Sequence, residues 1–445
     1  MTIQRKVLIN LLHNLGTRRE VSQYLNAFAG GAATRRVLLK VGGGVLDEQP
    51  EELAAAVACL AMLGVRPVLV HGAGPQLTRA LRDAGVESRF IDGKRVTTPE
   101  VLTIARRVFQ AEGHRLADSL ERQGVRARPI GTGVFRAARS ALPELGMVGE
   151  VVGVDATMIH ASLVNGQIPV ISPLGETDEG QILNINADTA ARDLALHLPA
   201  HKVVFITPTG GLLDRHGNVI PAVDLAGDYD RLIGEDWVSG GMELKLREVR
   251  EILAGLPQDA TVSITSPEHL AAELFTHKGA GTLVRKGVAV ECHEAGEGVD
   301  RPRLAELIEA SFGRPLVPDY FETHAFERIY IAGDSIAAAV FTAGGPFPYL
   351  DKFAVSREAQ GLGIAATLWN RFSAEIPGFC WRSRAGNEIN PWYFARADGM
   401  HRAGEWVVFW RGIRQADAIR RAVEHALSLP PSLLPAKPTE VPLAV

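Results

Sequence analysis

Lys40 opens the run Lys40-Val41-Gly42-Gly43-Gly44 directly after the apolar stretch Val37-Leu38-Leu39. A second apolar stretch, Val68-Leu69-Val70, runs into His71-Gly72-Ala73-Gly74-Pro75. Glycines let several backbone N–H groups turn toward one point and let a ligand approach the chain closely. With a helix N-terminus behind it, such a turn suits phosphate. Pro75 fits the first position of a helix, and Leu77, Leu81 and Ala84 continue one helical face. A third turn, Ser239-Gly240-Gly241-Met242, precedes a helix that carries Lys245 in its first turn. A cation at a helix N-terminus is electrostatically disfavoured. Phosphate oxygens in front of Lys245 would make sense of it, so the leading chemistry is that of an ATP-type phosphate site.

Other residues add weaker signals. Arg95, in Asp92-Gly93-Lys94-Arg95-Val96-Thr97, could fork onto a carboxylate. Asn184-Ile185-Asn186-Ala187-Asp188 precedes a helical run through Leu198, where the helix dipole favours a carboxylate by about 0.3–1 kcal/mol. Further on, Asp351-Lys352-Phe353-Ala354-Val355 leads into Gln360-Gly361-Leu362-Gly363-Ile364-Ala365. A strand followed by glycines at a helix start is another anion cradle, suited to a pyrophosphate. Each piece has a plain structural alternative: tight turns, a solvated lysine, a surface arginine, a first-turn carboxylate, and a core aromatic pair at Trp392-Tyr393.

Elements must position these residues. From Val37 to about Lys286, short β-rich runs (66–70, 168–172, 203–207, 261–265) alternate with helical patterns such as 50–63 and 242–254. That alternation predicts an α/β fold with a mainly parallel sheet covered on both faces. Val21, Tyr24, Leu25 and Phe28 share one helical face, so residues 4–28 read as a retained packing or regulatory helix. The charged stretch 291–303 reads as a linker, followed by a helix at 304–311 and a hairpin through Gly333-Asp334. The resulting division is an N-terminal segment 1–30, a first domain 31–290, the linker, a second domain 304–428 and a Pro-rich, loosely packed tail 429–445. At 445 residues the chain exceeds one hydrophobic core.

The net charge of −4 gives no reason to expect a nucleic-acid or polybasic membrane surface. The three cysteines lie far apart and form neither a disulfide framework nor a metal-ligand pair. No apolar run approaches the ~18 residues of a membrane span, and a cytoplasmic protein is expected.

Taken together, K-x-G-G-G, H-G-x-G-P, R-V-T, N-x-N-A-D and G-G-M-x-x-K resemble, in order and spacing, the amino acid kinase family, nearest to N-acetylglutamate kinases, over roughly residues 35–286. The resemblance implies a three-layer αβα sandwich, ATP with Mg2+, and phosphoryl transfer to the side-chain carboxylate of N-acetylglutamate. It assigns Lys40 and Lys245 to the moving phosphoryl group and Asp188 to holding both ammonium groups. Gly42, Gly43, Gly44, Gly72, Ala73, Gly74, Gly240 and Gly241 would supply the phosphate cradle, and Arg95 and Asn184 would hold the acetylated amino acid. Two positions depart from the pattern: Ala73 stands where a glycine is common, and Pro208-Thr209-Gly210-Gly211 lacks an Asp often found there.

The later segment resembles the acyl-CoA loop of the GNAT N-acetyltransferases. Residues 310–415 are similar to the acetyltransferase domain of vertebrate-type N-acetylglutamate synthases. That likeness implies acetyl-CoA bound at Val355, Gln360, Gly361, Gly363, Ile364 and Ala365, with Tyr393 as general acid and Asn387 beside it. Lys352 and Arg382 would take the glutamate carboxylates. The run His269 to Thr282 resembles the arginine-binding segment of arginine-sensitive kinases, implying an effector site at Tyr24, Glu273 and Gly279. The combined expectation is a homo-oligomeric (dimer or tetramer) bifunctional enzyme of arginine biosynthesis, acting on small molecules and inhibited by arginine. The rival is a synthase whose kinase-like domain is an inactive arginine-binding module.

Overall fold

The computed structural model describes residues 3–14, 18–29, 36–91, 93–198, 200–238, 241–257, 260–276, 280–357, 359 and 363–435. It divides into two compact units, Met1–Lys286 and Gly287–Val445.

The first unit is built on eight strands: β1 (Val37–Val41), β2 (Val68–His71), β3 (Ala127–Ile130), β4 (Ile168–Ile171), β5 (Lys202–Ile206), β6 (Ala222–Asp224), β7 (Thr261–Thr265) and β8 (Thr282–Arg285). Their order is β6-β8-β7-β5-β1-β2-β4-β3, with β7–β8 antiparallel and the other pairs parallel. Successive side chains on a strand point to opposite faces. Leu38, Val68, Val70, Val203 and Phe205 accordingly enter one core, and Val37, Leu39, Val41, Leu69 and Val204 the other. The expected α/β sandwich follows from that division.

Residues 4–28 form two helices, Ile3–Leu12 and Arg18–Ala29, not one. The Leu12 end is closed by a turn at His13–Asn14, and Asn is a residue that favours helix ends. The expected apolar face of the second helix is buried at Val21, Leu25 and Phe28. A smaller sheet of Phe135–Arg139, Gly149–Val154, Leu174–Glu176 and Ile182–Asn184 carries Asn184.

The second unit holds a seven-stranded sheet: β9 (Val290–Glu294), β10 (Phe326–Ala332), β11 (Ala337–Thr342), β12 (Tyr349–Val355), β13 (Phe379–Arg384), β14 (Gly399–Ala403) and β15 (Trp406–Arg411), in the order β9-β10-β11-β12-β13-β15-β14. The expected linker is thereby corrected. Residues 290–294 are an edge strand antiparallel to β10, and the next helix begins at Arg301, capped by Asp300 Oδ1 accepting from Arg303 N at 3.1 Å. The charged residues masked an alternation in which Val290 and Cys292 face the core. The start of the tail is also docked: Val317 N donates to Ser432 O at 3.2 Å, Leu434 N to Pro315 O at 2.9 Å, and Leu433 packs on a core cluster. Among the described residues, no helix is long and apolar enough to cross a membrane.

Candidate active sites

The carboxyl ends of β1, β2 and β5 lie side by side, the edge of an open parallel sheet where ligands bind. Gly42 N donates to Ile206 O at 3.0 Å, and Gly72 N donates to Val41 O at 2.8 Å, so each turn is tied to its neighbouring strand. The two turns also touch. A Cβ on Gly43 would sit 2.9 Å from both Gly74 N and Pro75 Cδ, and Gln76 Nε2 donates to Gly43 O at 2.9 Å. Behind them start the helices Gly43–Glu48 and Gly74–Asp83. Ala73 has φ −147°, which any L-residue adopts, so this departure from glycine costs nothing locally. Gly44 faces Pro208, whose Cγ would lie 3.3 Å from an added Cβ.

Lys40 is ion-paired with Asp188, and its Nζ lies 5.8 Å from the centre of the Phe205 ring. Asp188 stands in the first turn of the Ala187–His197 helix, whose cap is Asn186: its Oδ1 accepts from Asp188 N at 2.8 Å. Lys245, on the Gly241–Gly255 helix, faces the same pair. Its pKa is lowered by burial and by the charge of Lys40, and pulled back up by Asp188 and Glu248. The structure therefore gathers Lys40, Asp188 and Lys245 next to the two turns.

Arg95 reaches the second turn, donating to Thr78 Oγ1 at 2.8 Å and resting 4.6 Å from the Phe90 ring. Asn184 Nδ2 donates to Thr97 Oγ1 at 3.1 Å, and that hydroxyl donates to Arg95 O at 3.0 Å. Arg95 and Asn184 are thus joined through Thr97. Gly240 lies outside the described residues.

In the second unit, β12 and β13 run parallel but share a single register pair, Tyr349↔Cys380. Among the described residues, no further register pair joins these two strands. Gly363, at φ +80°, takes the left-handed conformation that starts the Ile364–Glu375 helix beside β12. Val355, Ile364 and Ala365 flank that corner and pack on the core, whereas Gln360 and Gly361 lie outside the described residues. Tyr393 is buried among Trp369, Trp381, Trp392 and Phe409, and burial raises its phenol pKa far enough to keep the proton on. Asn387 Nδ2 donates to Ser383 Oγ at 3.0 Å.

Lys352 and Arg382 are engaged inside the protein. Lys352 Nζ donates to Asp351 Oδ2 and to Ser432 Oγ, both at 2.5 Å. Arg382 donates to the carbonyls of Ala426 and Leu429 at 2.8 Å and of Pro430 at 3.0 Å, closing the end of the Ala416–Ser428 helix. In this conformation the tail covers both cations.

Glu273 is likewise closed in. It accepts from Lys202 Nζ at 3.2 Å, Ser263 Oγ at 2.5 Å and Ala280 N at 3.1 Å. Burial works to raise its pKa, but Lys202 and these hydrogen bonds hold it below the usual value. Tyr24 and Glu273 both act electrostatically on buried Arg285, so the effector candidates share one neighbourhood. Gly279 lies outside the described residues.

The amino acid kinase family matches residues 35–265. The chain belongs to that family. Residues 290–428 match the N-acetyltransferase domain of N-acetylglutamate synthase. The chain is 44% identical over 425 residues to an acetylglutamate kinase of Xanthomonas campestris, covering 94% of this chain and 100% of that protein. It is 34% identical over 324 residues to the mitochondrial N-acetylglutamate synthase of Homo sapiens, covering 71% and 60% of the two chains. In fold, it is similar to N-acetylglutamate synthase of Neisseria gonorrhoeae in complex with coenzyme A and N-acetyl-glutamate, with TM-score 0.65, 21% identity, and 89% and 98% of the two chains covered.

Sequence reasoning missed three features of this amino acid kinase. Thr97 is a hub that only the small sheet brings to Asn184. Lys202 reads as a strand-edge lysine until the fold sets it against Glu273. Glu248 sits one helical turn after Lys245, and i, i+3 spacing was the signal that could have found it.

Proposed function

We propose that the chain acetylates L-glutamate with acetyl-CoA and phosphorylates the resulting N-acetylglutamate with ATP, two consecutive steps of arginine biosynthesis. The observation that carries the kinase reading is the convergence of Lys40, Asp188 and Lys245 on two abutting glycine turns. A regulatory shell has no need for two half-buried lysines held by one carboxylate in front of a cradle that a Cβ at residue 43 would obstruct. Phosphoryl transfer is catalysed mostly by positioning and charge. Lys40 and Lys245 offset charge on the moving group, Asp188 fixes Lys40, and Arg95 and Asn184 orient the acceptor. No base is required, because the acceptor carboxylate is already ionised. Magnesium would ride on the phosphate oxygens, since Asp188 is taken up by Lys40.

In the acetyltransferase domain, the amine of glutamate attacks the thioester carbonyl. Tyr393, kept protonated by burial, donates to the departing thiolate as the C–S bond breaks. The nitrogen, which has given its ammonium proton to solvent before attack, releases its second proton to restore the phenol. The unladdered stretch of β12 and β13 beyond Tyr349 and Cys380 leaves backbone groups for an extended acyl carrier. Lys352 and Arg382 serve the glutamate carboxylates once the tail has moved. Arginine is the inhibitor, bound near Tyr24, Glu273 and Gly279, a reading supported by the electrostatic neighbourhood that Tyr24 and Glu273 share at Arg285. We also read the protein as a cytoplasmic homo-oligomer, dimer or tetramer, whose state light scattering measures.

The test is an ATP plus N-acetylglutamate assay in which hydroxylamine traps the acyl phosphate. Wild-type protein yields hydroxamate, and Lys40→Ala loses on the order of 10²–10³ in rate while acetyl transfer persists. Acetyl-transferring protein that gives no hydroxamate would overturn the kinase reading. Arginine at millimolar concentration that altered neither activity nor melting temperature would remove the effector assignment.

A further inference from the structure

Glu248 is a buried carboxyl without a task in the scheme above. It lies on the Gly241–Gly255 helix, one turn beyond Lys245, and this helix packs on the Ala187–His197 helix that carries Asp188. Its Oε2 is buried and has no hydrogen-bond partner. An unpartnered buried polar atom is uncommon and costs about 1–3 kcal/mol, which calls for an explanation. The charged groups facing it are Lys40 on β1, Asp188 and Arg192 on the Ala187–His197 helix, and Lys245 and Glu251 on its own.

We propose that Glu248 is a positioning residue of the kinase site that takes up a proton when nucleotide phosphates occupy Lys40 and Lys245, so that its carboxyl never opposes the incoming charge. The inference rests on the kinase reading and adds a proton to it. Three facts combine. The side chain shares the helix face of Lys245, Asp188 already places one negative charge next to it, and its outer oxygen meets no donor. Burial and the charge of Asp188 lift its pKa to about 8, so around pH 8 the group is poised between its two forms. Phosphates arriving on the lysines bring further negative charge and complete the protonation. The proton comes from solvent, and no bond other than O–H is made.

The experiment titrates magnesium-ATP, without acceptor, into the full chain by calorimetry in two buffers of different ionisation enthalpy. At pH 8, wild-type protein takes up about half a proton per site and at pH 6 close to none, where the carboxyl is protonated in both states. Glu248→Gln binds nucleotide with no uptake at pH 8, and its KM for ATP lacks the rise above pH 8 expected of wild type. Equal uptake in wild type and variant assigns the proton to Lys245 or another group and overturns the inference. Should the variant fail to fold, wild-type uptake that did not vanish at pH 6 would overturn it equally. Absence of any nucleotide binding would instead sink the kinase reading itself.

Discussion

Tyr393 shows how burial alone sets a proton's place, and Glu248 how burial and a neighbouring charge do so together. The Tyr393 ring packs 5.5 Å from Trp381 and 5.7 Å from Phe409, and only its hydroxyl is left for chemistry. Tyr393→Phe keeps those contacts. It is therefore expected to lower kcat for acetyl transfer by about 10²–10⁴ while leaving the melting temperature nearly unchanged. Steady-state kinetics and thermal melts check both halves. Glu248 makes a prediction of opposite kind. Its pKa is raised from 4.5 to about 8, so the folded form binds the proton more tightly than the unfolded chain. Stability contributed by that proton is full below pH 4.5 and is lost as pH rises toward 8. Glu248→Gln, a mimic of the protonated form, should melt at a higher temperature than wild type at pH 8 and at a nearly equal one below pH 4.

At the scale of elements, the docked segment Pro430–Leu434 covers the cations assigned to glutamate. Ending the chain at Leu429 removes the Ser432 acceptor from Lys352 and the Pro430 acceptor from Arg382. The KM for glutamate should fall about five-fold, the equivalent of one hydrogen bond of about 1 kcal/mol, while kinase rates stay the same. A rise in KM would mean that the segment helps build the pocket. The central strands were legible because their apolar runs end in glycine turns, and both faces of β1 and β5 are buried. The edge strand β9 was not, since Glu291 and Glu294 concealed its period-two pattern. Lys40, Asp188 and Lys245 could be read as a group from their motifs, but Thr97 and Lys202 depend on partners about 90 and 70 residues away, and single-segment patterns do not carry such pairings. The tail escaped for a similar reason: its prolines signal loose chain, whereas its anchoring donors belong to β12 and β13.

At the scale of the whole molecule, each activity has its own unit and its own essential residues. Lys40→Ala and Tyr393→Phe should each abolish the coupled conversion of glutamate, acetyl-CoA and ATP to trapped hydroxamate. A mixture of the two variant proteins should restore it, because free N-acetylglutamate can diffuse from one to the other. A mixture that stayed silent would require the intermediate to be handed over within one molecule. The contact between Gly43 and the Gly74-Pro75 turn has a historical consequence. The first turn cannot accept a side chain at position 43 unless the Gly74-Pro75 backbone withdraws, whereas a Cβ at position 74 would meet open space. A lineage released from phosphoryl transfer would lose that constraint, and its drift would show first as side chains at position 43.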